Sequence, residues 1–179
     1  MSKMKIHLTI AALIISGASL RAATPIQLSL TPDIALYPKD TVVRGLALNI
    51  WGENPQSSLH LGFVNGCSGE SAGLSYGLVN YADSYTGVLV GWVNISTGRF
   101  AGLQDGWFNW AGGDFTGLQY GVVNIARAKT SGLQLGLVNY AARLDGLQIG
   151  LVNIAAKNPA FTELPDKLAP VFPILNWSF

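Results

Sequence analysis

Residues able to do chemistry are few in this chain. After residue 22 there is one histidine, His60, and the whole chain has one cysteine, Cys67. As a metal ligand or proton carrier, His60 lacks a second histidine or a carboxylate at ligand spacing. Its other reading is a polar filler on one face of a strand. Cys67 would need a neighbouring base to become a reactive thiolate. Read without one, it is a small residue in the turn after Asn65. Asp105 is a charge where the sister units carry Tyr, Val, Leu or Ile. It reads either as a contact point or as a bulge or solvent-reached edge. Gln104, Gln119, Gln134 and Gln148 recur as a column, lining a polar pore or hydrogen-bonding between strands. Trp92, Trp107 and Trp110, with Tyr76, Tyr81 and Tyr140, fit interface belts, core filling or sugar stacking. Gly132-x-x-x-Gly136 and its copies are followed by no Lys-Ser or Lys-Thr, so they are not phosphate loops. No catalytic group, cofactor or metal is expected.

The elements that hold these residues follow from composition and repetition. The chain has 179 residues, enough for one domain, with 49% apolar and only 12% charged residues. Its mean hydropathy is +0.33. Such a chain is not disordered, because disorder needs charge and few apolar residues. A formal charge of +1 leaves no basic footprint for nucleic acid. A single cysteine excludes an intrachain disulfide framework.

Residues 1–22 have the layout of a secretory signal peptide: Lys3 and Lys5, an apolar run from Leu8 to Leu20, then Arg21-Ala22-Ala23. That run is shorter than the roughly 20 residues that cross a bilayer as a helix. Three of the eleven basic residues lie in this leader, which leaves eight against ten acids in a single domain, 23–179.

That domain is a repeat. Units of 14–15 residues, strongest over 73–155, share the pattern Gly-Leu-Gln-x-Gly-Leu-Val-Asn-x-Ala. Two glycines per unit and alternating apolar positions exclude helix. Leu133, Leu135 and Leu137 share one face of a strand; Gln134, Gly136 and Val138 share the other. Each unit thus predicts one strand of about ten residues and a short turn. Ten strands are expected, beginning near residues 25, 42, 57, 72, 86, 100, 116, 131, 145 and 170. Nearly all charged residues fall in the turns or in the 156–169 linker.

Two all-β architectures accommodate this. The first is a ten-stranded antiparallel up-and-down barrel of outer-membrane type, with the Leu-x-Leu face on lipid and the Gln-Gly-Val face filling a narrow lumen. The C-terminal strand, 170–179, supports it: Leu175, Trp177 and Phe179 alternate to an aromatic end, which resembles the barrel-insertion signal of outer-membrane proteins. Asp105 on the lipid face counts against it, unless a bulge turns the carboxylate inward. The second is a parallel β-solenoid with one unit per coil. Asn65, Asn80, Asn94, Asn109, Asn124, Asn139 and Asn153 would then stack as a ladder. In its favour, a hairpin meander should alternate its units, and these do not alternate. The barrel is the leading expectation and the solenoid its alternative.

The tandem GLQxGLVN units, most regular over 117–155, resemble those of bacterial surface-repeat proteins of the Leptospira type. The resemblance covers about 42–155; the unit at 87–101 departs from it, with Leu89 in place of Gln. It implies an exported protein of the bacterial envelope and supplies no activity, ligand or catalytic residue. The expected function is a non-enzymatic outer-membrane or cell-surface scaffold, or an exported solenoid that binds a partner. Outer-membrane lipid and the barrel-assembly machinery are the partners of a barrel, and an unidentified surface ligand is the partner of a solenoid.

Overall fold

One glycine of every unit stands at a corner and the chain turns again at the charged end of the unit, so that it winds instead of folding back on itself. The computed structural model describes residues 23–179. The expected leader, 1–22, lies outside the described residues. The strands are β1 (Ala23–Thr31), β2 (Ile34–Ala35), β3 (Val42–Asn54), β4 (Ser57–Tyr76), β5 (Val79–Val90), β6 (Val93–Ser96), β7 (Phe100–Asp105), β8 (Phe108–Ala111), β9 (Phe115–Tyr120), β10 (Val123–Leu135), β11 (Val138–Ala155) and β12 (Val171–Ser178). From β3 to β11 every pairing is parallel. Equivalent residues stack: Gly102 on Gly117, Leu103 on Leu118, Gln104 on Gln119, and Asn94 on Asn109. The chain is a parallel β-solenoid of about eight turns.

The all-β expectation therefore holds, in the second of its two architectures. The ten-stranded antiparallel barrel is corrected. The run from Gly132 to Ala141, read as one strand, is two. A corner at Gly136-Leu137 separates β10 from β11, and equivalent corners fall at Gly91-Trp92, Gly106-Trp107 and Gly121-Val122. Each coil thus gives a rung to each of two facing sheets. The ten expected strands are the ten rungs of the first sheet, the last of them antiparallel. Leu133 and Leu135 point outward and Gln134 inward, as their alternation predicts. Beyond the corner the inward residue is Asn139, and Val138 faces out on the second sheet.

The interior is built largely of amides. Asn65, Asn80, Asn94, Asn109, Asn124, Asn139 and Asn153 are fully buried. Each of Asn65 to Asn139 donates Nδ2 to Oδ1 of the next, at 2.8–3.0 Å. The same nitrogen also donates to a main-chain carbonyl just before a corner, as Asn124 does to Leu135 at 2.9 Å. The glutamines run the opposite way. Gln119, Gln134 and Gln148 each donate Nε2 to Oε1 of the preceding glutamine at 2.6–2.7 Å. They also donate across the core to the second sheet, Gln148 to the Ile154 carbonyl at 3.0 Å. Buried amides are costly only when unpaired, and here each ladder satisfies its own members except for one acceptor at its end. Ala82, Ala111, Ala126, Ala141 and Ala155 fill the thin space beyond the asparagines. Tyr85, Phe100 and Phe115 stack along the rungs with ring centroids 6.1 and 5.5 Å apart.

The first glycine of each unit marks where rung backbones approach most closely. At Gly117, with φ +128°, a Cβ would collide with the carbonyl oxygen of Gly102. The second corner absorbs the difference between 14- and 15-residue units. Register shifts by one residue between Ala126 and Lys129 against β11, and between Cys67 and Glu70 against β5.

Both ends carry antiparallel covers. Leu36 donates its N–H to the Leu28 carbonyl, and Tyr37 exchanges bonds with both side-chain atoms of Gln27, at 2.8 and 3.0 Å. At the other end β12 reverses direction along β11, and Leu168 and Phe179 pair β12 with the preceding loop. Pro173, which has no N–H, and Ile174, at φ +68°, break up the terminal edge. Such devices blunt edge-to-edge association.

The ladders make two stability predictions. Asn124→Ala leaves Asn139 Oδ1 without its donor in a closed core and should cost about 3 kcal/mol. Leu89 occupies the glutamine column, directly before Gln104. Leu89→Gln therefore extends the ladder and should change stability by less than about 1 kcal/mol, whereas Leu89→Ala opens a cavity and should cost about 3 kcal/mol. Urea unfolding followed by circular dichroism measures all three.

Candidate functional site

Two places gather several of the residues singled out above. The first is internal. His60 lies in the inward column of the first sheet, paired with Ala47, and is fully buried. Folding over the corner at Gly62-Phe63 carries Cys67 back across the core, so that Sγ comes to 3.7 Å from His60 Nδ1. Sequence reasoning treated these two separately. The signal that joins them is the repeat register, which stacks Cys67 on Ala82, an inward position. Sγ accepts a bond from Gln56 Nε2 at 3.0 Å. The expectation that the chain holds no Gly-x-Ser-x-Gly pattern is corrected: Gly73-Leu74-Ser75-Tyr76-Gly77 is one. Such a pattern builds a nucleophile elbow only at an exposed strand-to-helix turn. Here Ser75 is fully buried and donates Oγ to Asn80 Oδ1 at 3.0 Å.

Burial sets the protonation of this cluster. It pushes the Cys67 thiol up to about 12 and lowers His60 to about 4. These are the shifts of a neutral thiol beside a neutral imidazole, opposite to those of a thiolate–imidazolium pair. His60 Nε2 has no hydrogen-bond partner, and among the described residues no group of three potential metal ligands occurs.

The second place is the surface at the first corner. Phe63, Leu78, Trp92, Trp107, Val122, Leu137 and Leu151 follow the corner glycines on successive coils and are all exposed. They form a ridge of seven residues. Inter-rung spacing of about 4.8 Å makes it about 29 Å long. Trp92 and Trp107 lie stacked, centroids 5.7 Å apart and 14° from parallel, so each covers one face of the other. Beside the ridge runs the outermost column of the first sheet, including Tyr76, Val90, Asp105 and Tyr120 in register. Between ridge and column the glycines leave a groove of about 820 Å³. A second groove of about 820 Å³, lined by Leu28, Leu36, Leu48, Ile50 and Leu61, shares Phe63 and Tyr76 with it and continues it toward β1.

Asp105 is the one charge in that column. The register of β7 with β5 and β9 is unbroken through it, so no bulge turns it inward. Its carbonyl accepts from Gly91 N and from Asn94 Nδ2 at 2.9 Å, as at any other rung. The other charges of the regular coils gather at the second corner: Glu70, Asp83, Arg99, Asp114, Arg127, Lys129, Arg143 and Asp145. Four are acidic and four basic. Lys129 and Asp145 pair at 2.7 Å, and Arg99 and Glu70 at 3.5 Å. Lys129 holds the Asp145 carboxyl below the usual carboxylate range. Leu175 and Trp177 sit in the capping strand opposite Ile149 and Leu147 and extend the two outer columns, with Phe179 exposed beyond them.

No family model, curated protein or solved structure matches the chain. What the arrangement can do therefore rests on its own geometry. The internal cluster is closed to solvent, and the ridge is the open, apolar, regular surface.

The buried histidine makes the fold acid-sensitive. The unfolded chain takes up the proton at the ordinary value of 6.5, the folded chain only at about 4. The stability associated with neutral His60 is complete above 6.5 and is lost as pH falls from 6.5 to 4, to a total of about 3 kcal/mol. His60→Leu, which repeats the residue this column holds at Leu89, removes that loss. The stability difference between variant and parent should grow by about that amount between pH 7 and pH 4, as read by urea unfolding across that range.

Proposed function

We propose that this chain is an exported, non-enzymatic β-solenoid of the bacterial cell envelope that works as a binding module at the outer membrane or cell surface. The observation that carries the reading is the separation of surface types around the coil. One corner is apolar over seven consecutive coils, and apart from Asp105 on its shoulder the charges of the regular coils stand at the other. Monomeric soluble proteins rarely leave so large a contiguous apolar surface uncovered, and when they do it marks an interaction site.

Other features support it. The 1–22 segment has the layout of an export leader, and the GLQxGLVN units resemble those of bacterial surface-repeat proteins. The balanced charges of the second corner offer no attraction to nucleic acid. The His60–Cys67 pair, the nearest thing to a catalytic dyad, is sealed and neutral. A solenoid whose ends are covered presents its long sides, which suits it to binding along its length.

Fractionation of cells expressing the full chain tests this. The expected outcome is loss of the leader and recovery with the envelope. The paired substitution Trp92→Glu and Trp107→Glu should keep the fold, because neither side chain enters the core, and should move the protein to the soluble exported fraction. Retention of an uncleaved chain in the cytoplasm would overturn export, and a ridge variant fractionating like its parent would overturn the assignment of the ridge.

A further inference from the structure

Resting on that reading, we propose that the ridge's partner is a lipid surface: the solenoid lies lengthwise on a zwitterionic phospholipid bilayer. Phe63, Leu78, Trp92, Trp107, Leu137 and Leu151 enter the boundary between headgroups and acyl chains, and the charged corner stays in water.

The distribution of charge selects this occupant. An interfacial element needs an apolar side, a polar side opposite it and aromatic rings at the boundary. The first corner provides the apolar side for about 29 Å, with the stacked Trp92 and Trp107 at its middle. Asp105 lies one step back from Trp107 along the chain, across Gly106, on the shoulder of the ridge. With the ridge inserted about 5–10 Å, that shoulder sits at headgroup depth. There the carboxylate meets the ammonium groups of choline or ethanolamine, which gives the ridge's one charge a complement. The second corner has as many acids as bases, so adhesion does not draw on anionic lipid.

The same observations disfavour the other occupants. A second copy packed ridge to ridge about a two-fold axis has its centre at Trp107, the fourth of the seven ridge residues. That places two Asp105 carboxylates near each other in an apolar seam, which is costly. An extended peptide needs main-chain partners. Along the groove Gly91, Gly106, Gly121 and Gly136 already donate to the carbonyls of Asp105, Tyr120, Leu135 and Ile149. For a sugar, the stacking of Trp92 on Trp107 removes one face of each ring.

The test uses residues 23–179, because the folded unit carries its own end covers and the apolar run Leu8–Leu20 would itself bind lipid. Flotation with phosphatidylcholine vesicles should carry the protein upward, to the same extent at low and high salt. Tryptophan emission should shift to the blue on binding and be quenched by lipids brominated on the acyl chain. Trp92→Glu with Trp107→Glu should lower the partition coefficient at least tenfold while the circular dichroism stays unchanged. Leu137→Ser with Leu151→Ser is a milder pair that should lower it severalfold should the first perturb the fold. Asp105→Lys should weaken binding to phosphatidylcholine and strengthen it when phosphatidylglycerol is added. Failure to float, or ridge variants that float like the parent, would overturn the proposal. So would a dimer in light scattering that the ridge variants convert to monomer. A chain that is exported and held in the envelope yet does not float would sink only the lipid assignment, whereas a chain never exported would sink the proposed function itself.

Discussion

The structure depends on amides that stack on their own kind. A coil of 14–15 residues has too little interior for a conventional apolar core, and the space between the two sheets takes only one or two side chains from each. Asparagine and glutamine fill it because each carries a donor and an acceptor at a spacing that matches neighbouring rungs. Asn124 accepts from Asn109 and donates to Asn139, and it also takes the Leu135 carbonyl at the corner. One side chain thus ties together three successive rungs and fixes a bend. The glutamines use their second donor to tie one sheet to the other. In a low-dielectric interior such bonds strengthen one another, and a missing member costs more than one bond.

The opposed directions of the two ladders have a structural consequence. The asparagines donate toward the C-terminus and the glutamines toward the N-terminus, so their amide dipoles oppose. Each ladder begins or ends on an unpaired acceptor: Asn49 Oδ1 at one end of the solenoid and Gln148 Oε1 at the other. Near the N-terminal end the glutamine column is interrupted by Leu89, Ser75, His60 and Ala47, all fully buried. The irregular chemistry of the chain, His60 beside Cys67, therefore lies where the repeat is least regular. A position freed from the ladder accepts a residue that need not match its neighbours, and this accounts for the pair without invoking a reaction.

With amides, alanines and a short aromatic stack filling the interior, the motif leucines of the regular units are left outside. Leu103, Leu118, Leu133 and Leu147 face outward and stack at each rung, each partly covering the next. Parallel in-register stacking removes apolar area from water without enclosing it. It also explains the strictness of the charge pattern. A charge in a stacked column would repeat at about 4.8 Å if the unit repeated faithfully, and like charges at that distance repel. Charges are therefore confined to the second corner, where one-residue differences in unit length let them alternate in sign and pair. Asp105 is tolerated as a single departure, between Val90 and Tyr120.

Much of this was legible in the residues and some was not, and the boundary between the two is instructive. The period, the outward leucines, the inward glutamines and the charge-bearing turns follow from alternation and spacing. The corner at Gly136-Leu137 does not, because Leu135, Leu137 and the apolar Val138 keep the look of one strand straight through the bend. That single hidden corner turns ten antiparallel staves into coils, and it conceals the nearness of His60 and Cys67, which is visible only once the chain is folded back. The asparagine repeat held the decisive signal. An antiparallel meander has two kinds of turn, one at each end of the sheet, and has no reason to place the same side chain at both. A coil meets the same corner once per turn, and the residue that holds the corner then recurs every 14–15 positions. Where a buried polar residue repeats at the period of the chain, its partner is its own copy, and the strands that carry it must run the same way.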